Sequence, residues 1–181
     1  MASQPELVDL FYDAAEKAFA AWRAENPTET VFAFVLSTID DAIYVSGSVN
    51  SLESHERRLA ERGYDASHEY AADTKWGPWE WENEYIGSEY FQVADQRLGE
   101  LSEEMGEKKH AKFKKTVTDS MVEALVRLRN SGAISNPGDP IEIALFATIY
   151  DSCDAEGLQR RSGKLLNSPE LCAEFLEVIN G

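Results

Sequence analysis

The stretch IEIALFATIY, residues 141–150, limits the fold more than any other part of the chain. Side chains on a strand alternate between faces. Here Ile141, Ile143, Leu145, Ala147 and Ile149 share one face, while Phe146 and Tyr150 sit on the other. A strand apolar on both sides must be covered on both. The pattern therefore predicts a central strand, preceded by the SNPGDP turn cluster at 135–140, with helices supplying the cover. The rest of the chain offers them. PELVDLFYDAAEKAFAAW places Leu7, Leu10, Phe11, Ala14, Ala18 and Trp22 at helical spacing, with Pro5 suited to the first turn. VFAFVLST at 31–38 and AIYVSGSV at 42–49 read as a hairpin across the IDD turn. Asn50 with Glu53 resembles a capping box opening a helix that Gly63 stops.

Further helical stripes run through Phe91, Ala94, Leu98 and Leu101, then, after Gly106, through Phe113, Val117, Met121, Leu125 and Leu128. Residues 151–166 return to helix, and Ser168-Pro169-Glu170 opens a last one with Leu171, Phe175 and Leu176. The expected class is α+β: a small, mainly antiparallel sheet (hairpin 31–49 plus strand 141–150) packed by about six helices. At 181 residues, the span 1–181 is expected to be a single domain.

KWGPWEWENEY, residues 75–85, carries three of the four tryptophans. With Gly77 as N-cap and Pro78 at the first helical position, Trp76 and Trp81 occupy the two places of a hydrophobic staple, and Tyr85 continues the Trp81 face. That assigns two rings a structural role. Trp79 points away from this stripe, amid Glu80, Glu82 and Glu84, and is either an exposed recognition anchor or packed under residues 64–74, a segment with no clear pattern.

The net charge is −16, and Asp65 to Glu107 holds twelve acids against Lys75 and Arg97. Such a field repels nucleic acid and anionic membranes and attracts a basic protein. Solubility alone is the plainer explanation. KKHAKFKK follows at once, its lysines available to pair within the fold or to line a solvated helix face. No apolar run is long enough to span a bilayer, and MASQPELVDLF lacks the layout of a signal peptide. With only Cys153 and Cys172, a reduced cytoplasmic protein is the expectation.

Chemistry leaves few marks. The glycines form no phosphate-binding loop, and His55, His68 and His110 stand apart, without HExxH or CxxC. No catalytic residue, cofactor or metal is therefore assigned, and an enzyme is the less favoured reading. The most site-like cluster is DSCDAE, where Asp151, Asp154 and Glu156 follow the 141–150 strand. Carboxylates at a strand end suit a ligand or a divalent cation. Capping by Asp151 or Ser152, with Asp154 and Glu156 favouring the helix dipole, accounts for them without one.

The segments KWGPWEW, VFAFVLST, the Asn50 cap and LFATIYDSCDAEGLQRRSGKLLN together resemble a bacterial family known as domain of unknown function 4303, over about residues 5–170. The chain departs from that pattern at Gly77, where a serine-type cap is usual, and at Trp79, where a polar residue is expected. The resemblance implies no activity; by fold-level analogy, some small acidic α+β families act as immunity proteins that bind toxins. The leading expectation is a non-catalytic protein-binding module using Trp79, Glu80, Glu82 and Glu84. The alternatives are a small enzyme or divalent-metal binder at Asp151, Asp154 and Glu156, and a housekeeping domain whose charge serves solubility. Oligomeric state is left open.

Overall fold

The computed structural model describes residues 4–65, 67–105, 109–136, 138 and 141–179. Among these, helix α1 (Gln4–Glu25) buries Leu7, Phe11, Ala14, Ala18 and Trp22 as the spacing requires. Strand β1 (Val31–Ile39) follows, then β2 (Ser46–Ser51) and helix α2 (Leu52–Arg62). A short helix α3 (Ala71–Trp76) leads through a single 3-10 turn, Pro78–Glu80, into strand β3 (Asn83–Ile86). Two long helices, α4 (Ser88–Met105) and α5 (His110–Ser131), precede β4 (Ala144–Tyr150), α6 (Ala155–Leu166) and α7 (Pro169–Ile179). Gly106, expected to separate α4 from α5, lies outside the described residues, as do Pro137, Asp139 and Pro140 of the turn cluster.

The fold is α+β, but its sheet is mixed. The strand order is β3-β2-β1-β4; β1 pairs antiparallel with β2, β2 antiparallel with β3, and β1 parallel with β4. One face carries the larger core, in which Phe34, Leu36, Leu145 and Ala147 meet Phe11, Phe91, Met121 and Leu125 from α1, α4 and α5. The other face buries Ala33, Val35, Ala144 and Phe146 beneath Trp76, Trp81 and Phe175. Each of these large side chains contributes about 1.5–3 kcal/mol on leaving water.

Four sequence expectations are corrected. The 141–150 strand is covered on both faces as predicted, yet it is an edge strand and starts at Ala144. Its open side is closed by side chains rather than by another strand. Asn167 Oδ1 accepts the Leu145 N–H at 2.8 Å and its Nδ2 donates to the Leu145 carbonyl at 3.0 Å. Ser162 Oγ accepts the Ala147 N–H at 3.0 Å. A strand edge so satisfied offers no template to another chain.

The second hairpin strand begins at Ser46, not Ala42, because Ala42 turns with φ 54° and the Val45 N–H goes to Asp95 Oδ1 at 2.9 Å instead of to β1. The cap of α2 is Ser51, not Asn50. Ser51 Oγ accepts the Ser54 N–H at 2.9 Å and Ser54 Oγ accepts the Ser51 N–H at 3.0 Å, a reciprocal box. Glu53 instead accepts the Thr30 N–H at 2.7 Å. Gly63 ends α2 in the left-handed conformation, φ 71°, as expected.

The largest correction concerns residues 78–86. No helix follows Pro78; Trp81 is extended, with φ −75° and ψ 144°, and β3 takes the place of the expected Trp81–Tyr85 stripe. The cause is non-local. Trp81 turns into the second core, edge-on to Phe146 at 6.2 Å, with its indole N–H donating to the Lys75 carbonyl at 3.2 Å. Beside it, Asn83 Oδ1 accepts the Trp22 indole N–H at 3.1 Å. Trp76 and Trp81 are both buried, as their assigned structural role demands, but as pegs of a sheet face.

Candidate functional site

The second face of the sheet changes character along its length. Beyond Val35 and Phe146 the next row across the strands is Ser46, Ser37 and Thr148, all buried. Ser37 and Ser46 share a hydrogen bond at 2.8 Å, and Gln159 Nε2 donates to Thr148 Oγ1 at 2.9 Å. The apolar half lies under Trp76, Trp81 and Phe175; the polar half borders a cleft of about 950 Å³. That volume is in the range of small-ligand sites.

Three elements build the walls. The first is the end of α3 and the turn after it, bearing Asp73, Trp76, Gly77 and Trp79; the second is β3, with Glu84 and Tyr85; the third is the end of β4 and the start of α6, from Thr148 to Gln159. Asn50 anchors the first wall, its buried Nδ2 donating to the carbonyls of Thr74 and Lys75 at 3.2 Å each. Trp79 is 54% exposed, so it does not pack beneath residues 64–74. Its ring lies back on Gly77, where an added Cβ would stand 2.8 Å from Trp79 Cζ2 and 2.8 Å from the Asp73 carbonyl oxygen. Only glycine leaves room for that ring.

Two non-glycine residues with positive φ stand on the rim, Tyr85 at 53° and Asp151 at 55°. Such backbone is costly and persists where the surrounding structure enforces it, often at functional sites. The Tyr85 ring meets Tyr150 edge-on at 6.4 Å. The Tyr150 hydroxyl is buried and has no hydrogen-bond partner of normal geometry among the described residues. Burial pushes its pKa upward, as it does those of Tyr44 and Tyr85. Glu84 is held above the ordinary glutamate range by desolvation, which the positive charge of Arg58 only partly opposes.

The residues singled out from sequence are thus partly gathered and partly dispersed. Trp79, Glu84, Asp151 and Glu156 line this one cleft. Glu80 is engaged by Arg62 at 2.7 Å and Arg58 at 3.6 Å, and Glu82 by Arg57 at 3.0 Å, all from α2. Asp154 faces a neighbouring groove and pairs with Lys114 at 2.6 Å. The expected capping role of Asp151 is not observed: α6 starts after Asp154, which makes no side-chain cap, and Ser152 Oγ donates to Asp40 at 2.6 Å. Two of the lysines after residue 107 pair within the fold, Lys114 with Asp40 and Asp154 and Lys115 with Asp119, but these acids lie outside the 65–107 tract.

Tyr44, Asp73, Tyr85 and Tyr150 are cleft residues that the sequence did not assign to a site. The available signal was the alternation of Ser46, Ser48 and Asn50 in an otherwise apolar hairpin, which marks one sheet face as polar. Among the described residues no group of three or more His, Cys, Asp or Glu side chains could hold a metal ion, and no helix is long and apolar enough to cross a membrane.

Comparison with curated proteins and with solved structures brings no match. A family described as Domain of unknown function (DUF4303) does match, over residues 11–168, which span both sheet faces and every cleft wall. The chain belongs to the DUF4303 family.

Proposed function

We propose that this protein is a non-catalytic binding module whose acidic, tryptophan-bearing face engages a basic partner protein. One observation carries the reading: Trp79, exposed and seated on Gly77, stands on a cleft that it shares with Asp73, Glu84 and Asp151. A rigid aromatic beside carboxylates is the composition of an interface hot spot for a cationic surface. The steering charges of the proposal are Asp73, Glu84 and Asp151 rather than Glu80 and Glu82, which α2 already neutralises. Neutralising a basic toxin, in the manner of immunity proteins, is one form such binding takes. The two free cysteines, Cys153 and Cys172, fit a bacterial cytoplasmic setting.

The test is capture from host lysate by wild type and Trp79→Ala at low and high salt. A basic protein retained by wild type, and lost in the variant and in salt, supports the module. Retention equal at 50 mM and 500 mM salt, which span about a threefold change in screening length, refutes the charged-face mechanism. A second reading, a small enzyme working in the same cleft, is favoured by the raised pKa of Glu84 beside Tyr150. It predicts that Glu84→Gln abolishes turnover of a ligand that still binds.

A further inference from the structure

The pairing of carboxylates around the cleft is uneven. Outside it, the fold supplies cations: Arg58 and Arg62 to Glu80, Arg57 to Glu82, and Lys114 to Asp154. Glu156, on the rim, holds Arg160. Asp73, Glu84 and Asp151, which line the cleft, have no ion pair among the described residues, and no Lys, Arg or His lines the cleft with them. A carboxylate drawn from water without an ion-pair partner is costly, and Glu84 bears that cost through its desolvation, which the more distant charge of Arg58 offsets only in part. The remaining walls are ring faces and edges from Trp76, Trp79, Tyr44, Tyr85 and Tyr150. At the floor, the Tyr150 hydroxyl is buried without a hydrogen bond of normal geometry among the described residues, with Glu84, Ser37 and Ser48 as its polar neighbours.

Resting on the binding-module reading, we propose that the cleft is a receptor for the guanidinium group of an arginine side chain presented by the basic partner. The guanidinium is the missing counter-charge. It is planar, so it stacks on an indole or phenol face while its N–H fork reaches a carboxylate edge-on. It carries only donors, and the cleft offers acceptors in Glu84, Asp73 and Asp151 and in the lone pairs of the Tyr150 hydroxyl. A lysine ammonium, compact and strongly hydrated, gains less from flat aromatic walls. Trp79 on Gly77 and Tyr85 in its enforced backbone conformation hold the ring faces in place before the ligand arrives, which lowers the ordering cost of binding.

The probe is acetyl-arginine amide, titrated into the full chain and followed by the Trp79 and Trp76 indole N–H resonances, with acetyl-lysine amide and acetyl-citrulline amide as comparisons. The expected result is saturable shifts confined to the cleft, with arginine bound roughly tenfold more tightly than lysine and citrulline weaker still, since one charge-assisted hydrogen bond is worth about that factor. Trp79→Ala and Glu84→Gln should each weaken arginine binding several-fold while the spectrum elsewhere is unchanged. Citrulline binding as tightly as arginine, or no saturable shift at the cleft with any of the three, overturns the proposal. Capture of a salt-sensitive, Trp79-dependent partner alongside no arginine binding would leave the module standing and sink only the arginine receptor.

Discussion

Removal of the Asn167 side chain tests how the β4 edge is kept closed. Asn167 makes four hydrogen bonds: to the Leu145 N–H (2.8 Å) and carbonyl (3.0 Å), to the Gly163 carbonyl (2.9 Å), and from Arg129 Nη2 (3.0 Å). Leu145 is buried, so Asn167→Ala strands one donor and one acceptor of its backbone out of water's reach. Each buried backbone group left unpaired costs about 1–3 kcal/mol, while the two bonds nearer the surface are worth about 0.5–1.5 kcal/mol each. Partial relaxation lowers the sum, and a loss of about 3–4 kcal/mol is expected, a large share of the roughly 5–15 kcal/mol that holds a domain together. Ser162→Ala removes the acceptor for the Ala147 N–H, together with the hydroxyl's own bond to the Leu158 carbonyl at 2.7 Å, and should cost about 1–2 kcal/mol. Urea unfolding at constant m-value gives both numbers, and hydrogen exchange at the Leu145 amide reports the edge itself. An Asn167→Ala loss below about 1 kcal/mol, or an unchanged Leu145 exchange rate, would refute the reasoning, because the edge would then be satisfied by something other than this side chain.

Two further outcomes follow from single contacts. Gly77→Ala places a methyl group against the Trp79 ring and the Asp73 carbonyl at a backbone conformation, φ −90° and ψ 104°, that alanine accepts; the cost should be about 1–3 kcal/mol of stability from overpacking, with the Trp79 indole resonance displaced and arginine-amide binding weakened. A normal Trp79 resonance in that variant would mean the ring does not depend on the glycine. Burial raises the Asp95 carboxyl pKa above its ordinary 3.8, opposed by the Val45 N–H. The folded state therefore holds that proton more tightly than the unfolded chain, so ionised Asp95 lowers stability as pH rises through and above this value. Asp95→Asn keeps an oxygen for Val45, and its stability relative to wild type should grow over the pH range just above 3.8 and then level off; the opposite slope in thermal melts would show Asp95 to be stabilised as a charge.

Much of the architecture was written in local patterns. The buried stripes of α1, α4 and α5, the span of β1, the two-sided burial of β4 and the burial of Trp76 and Trp81 all follow from the spacing of apolar residues, because periodicity reports which side chains must leave water. Gly63 as a stop is equally local, since only the left-handed φ of that one residue is at issue. The site was legible only in pieces: Trp79 stood out by lacking a structural partner in its own segment, and Asp151 and Glu156 by following a strand.

Tertiary structure decided what no window of sequence contains. Residues 81–86 could continue a helix from Pro78 on local grounds, but Trp81 gains more by meeting Phe146, 65 positions away in the chain, and the segment becomes a strand. The parallel pairing of β4 with β1, its place at the edge, and the replacement of a neighbouring strand by Asn167 and Ser162 rest on contacts between remote residues. The cleft has the same origin. Charges adjacent in sequence were sorted by where α2 could reach: Glu80 and Glu82 found arginines, while Glu84, two and four residues on, was turned to a cleft that holds none. A sequence sets which residues are charged and which are apolar, whereas the distance that determines whether a charge is already answered exists only once the chain has folded.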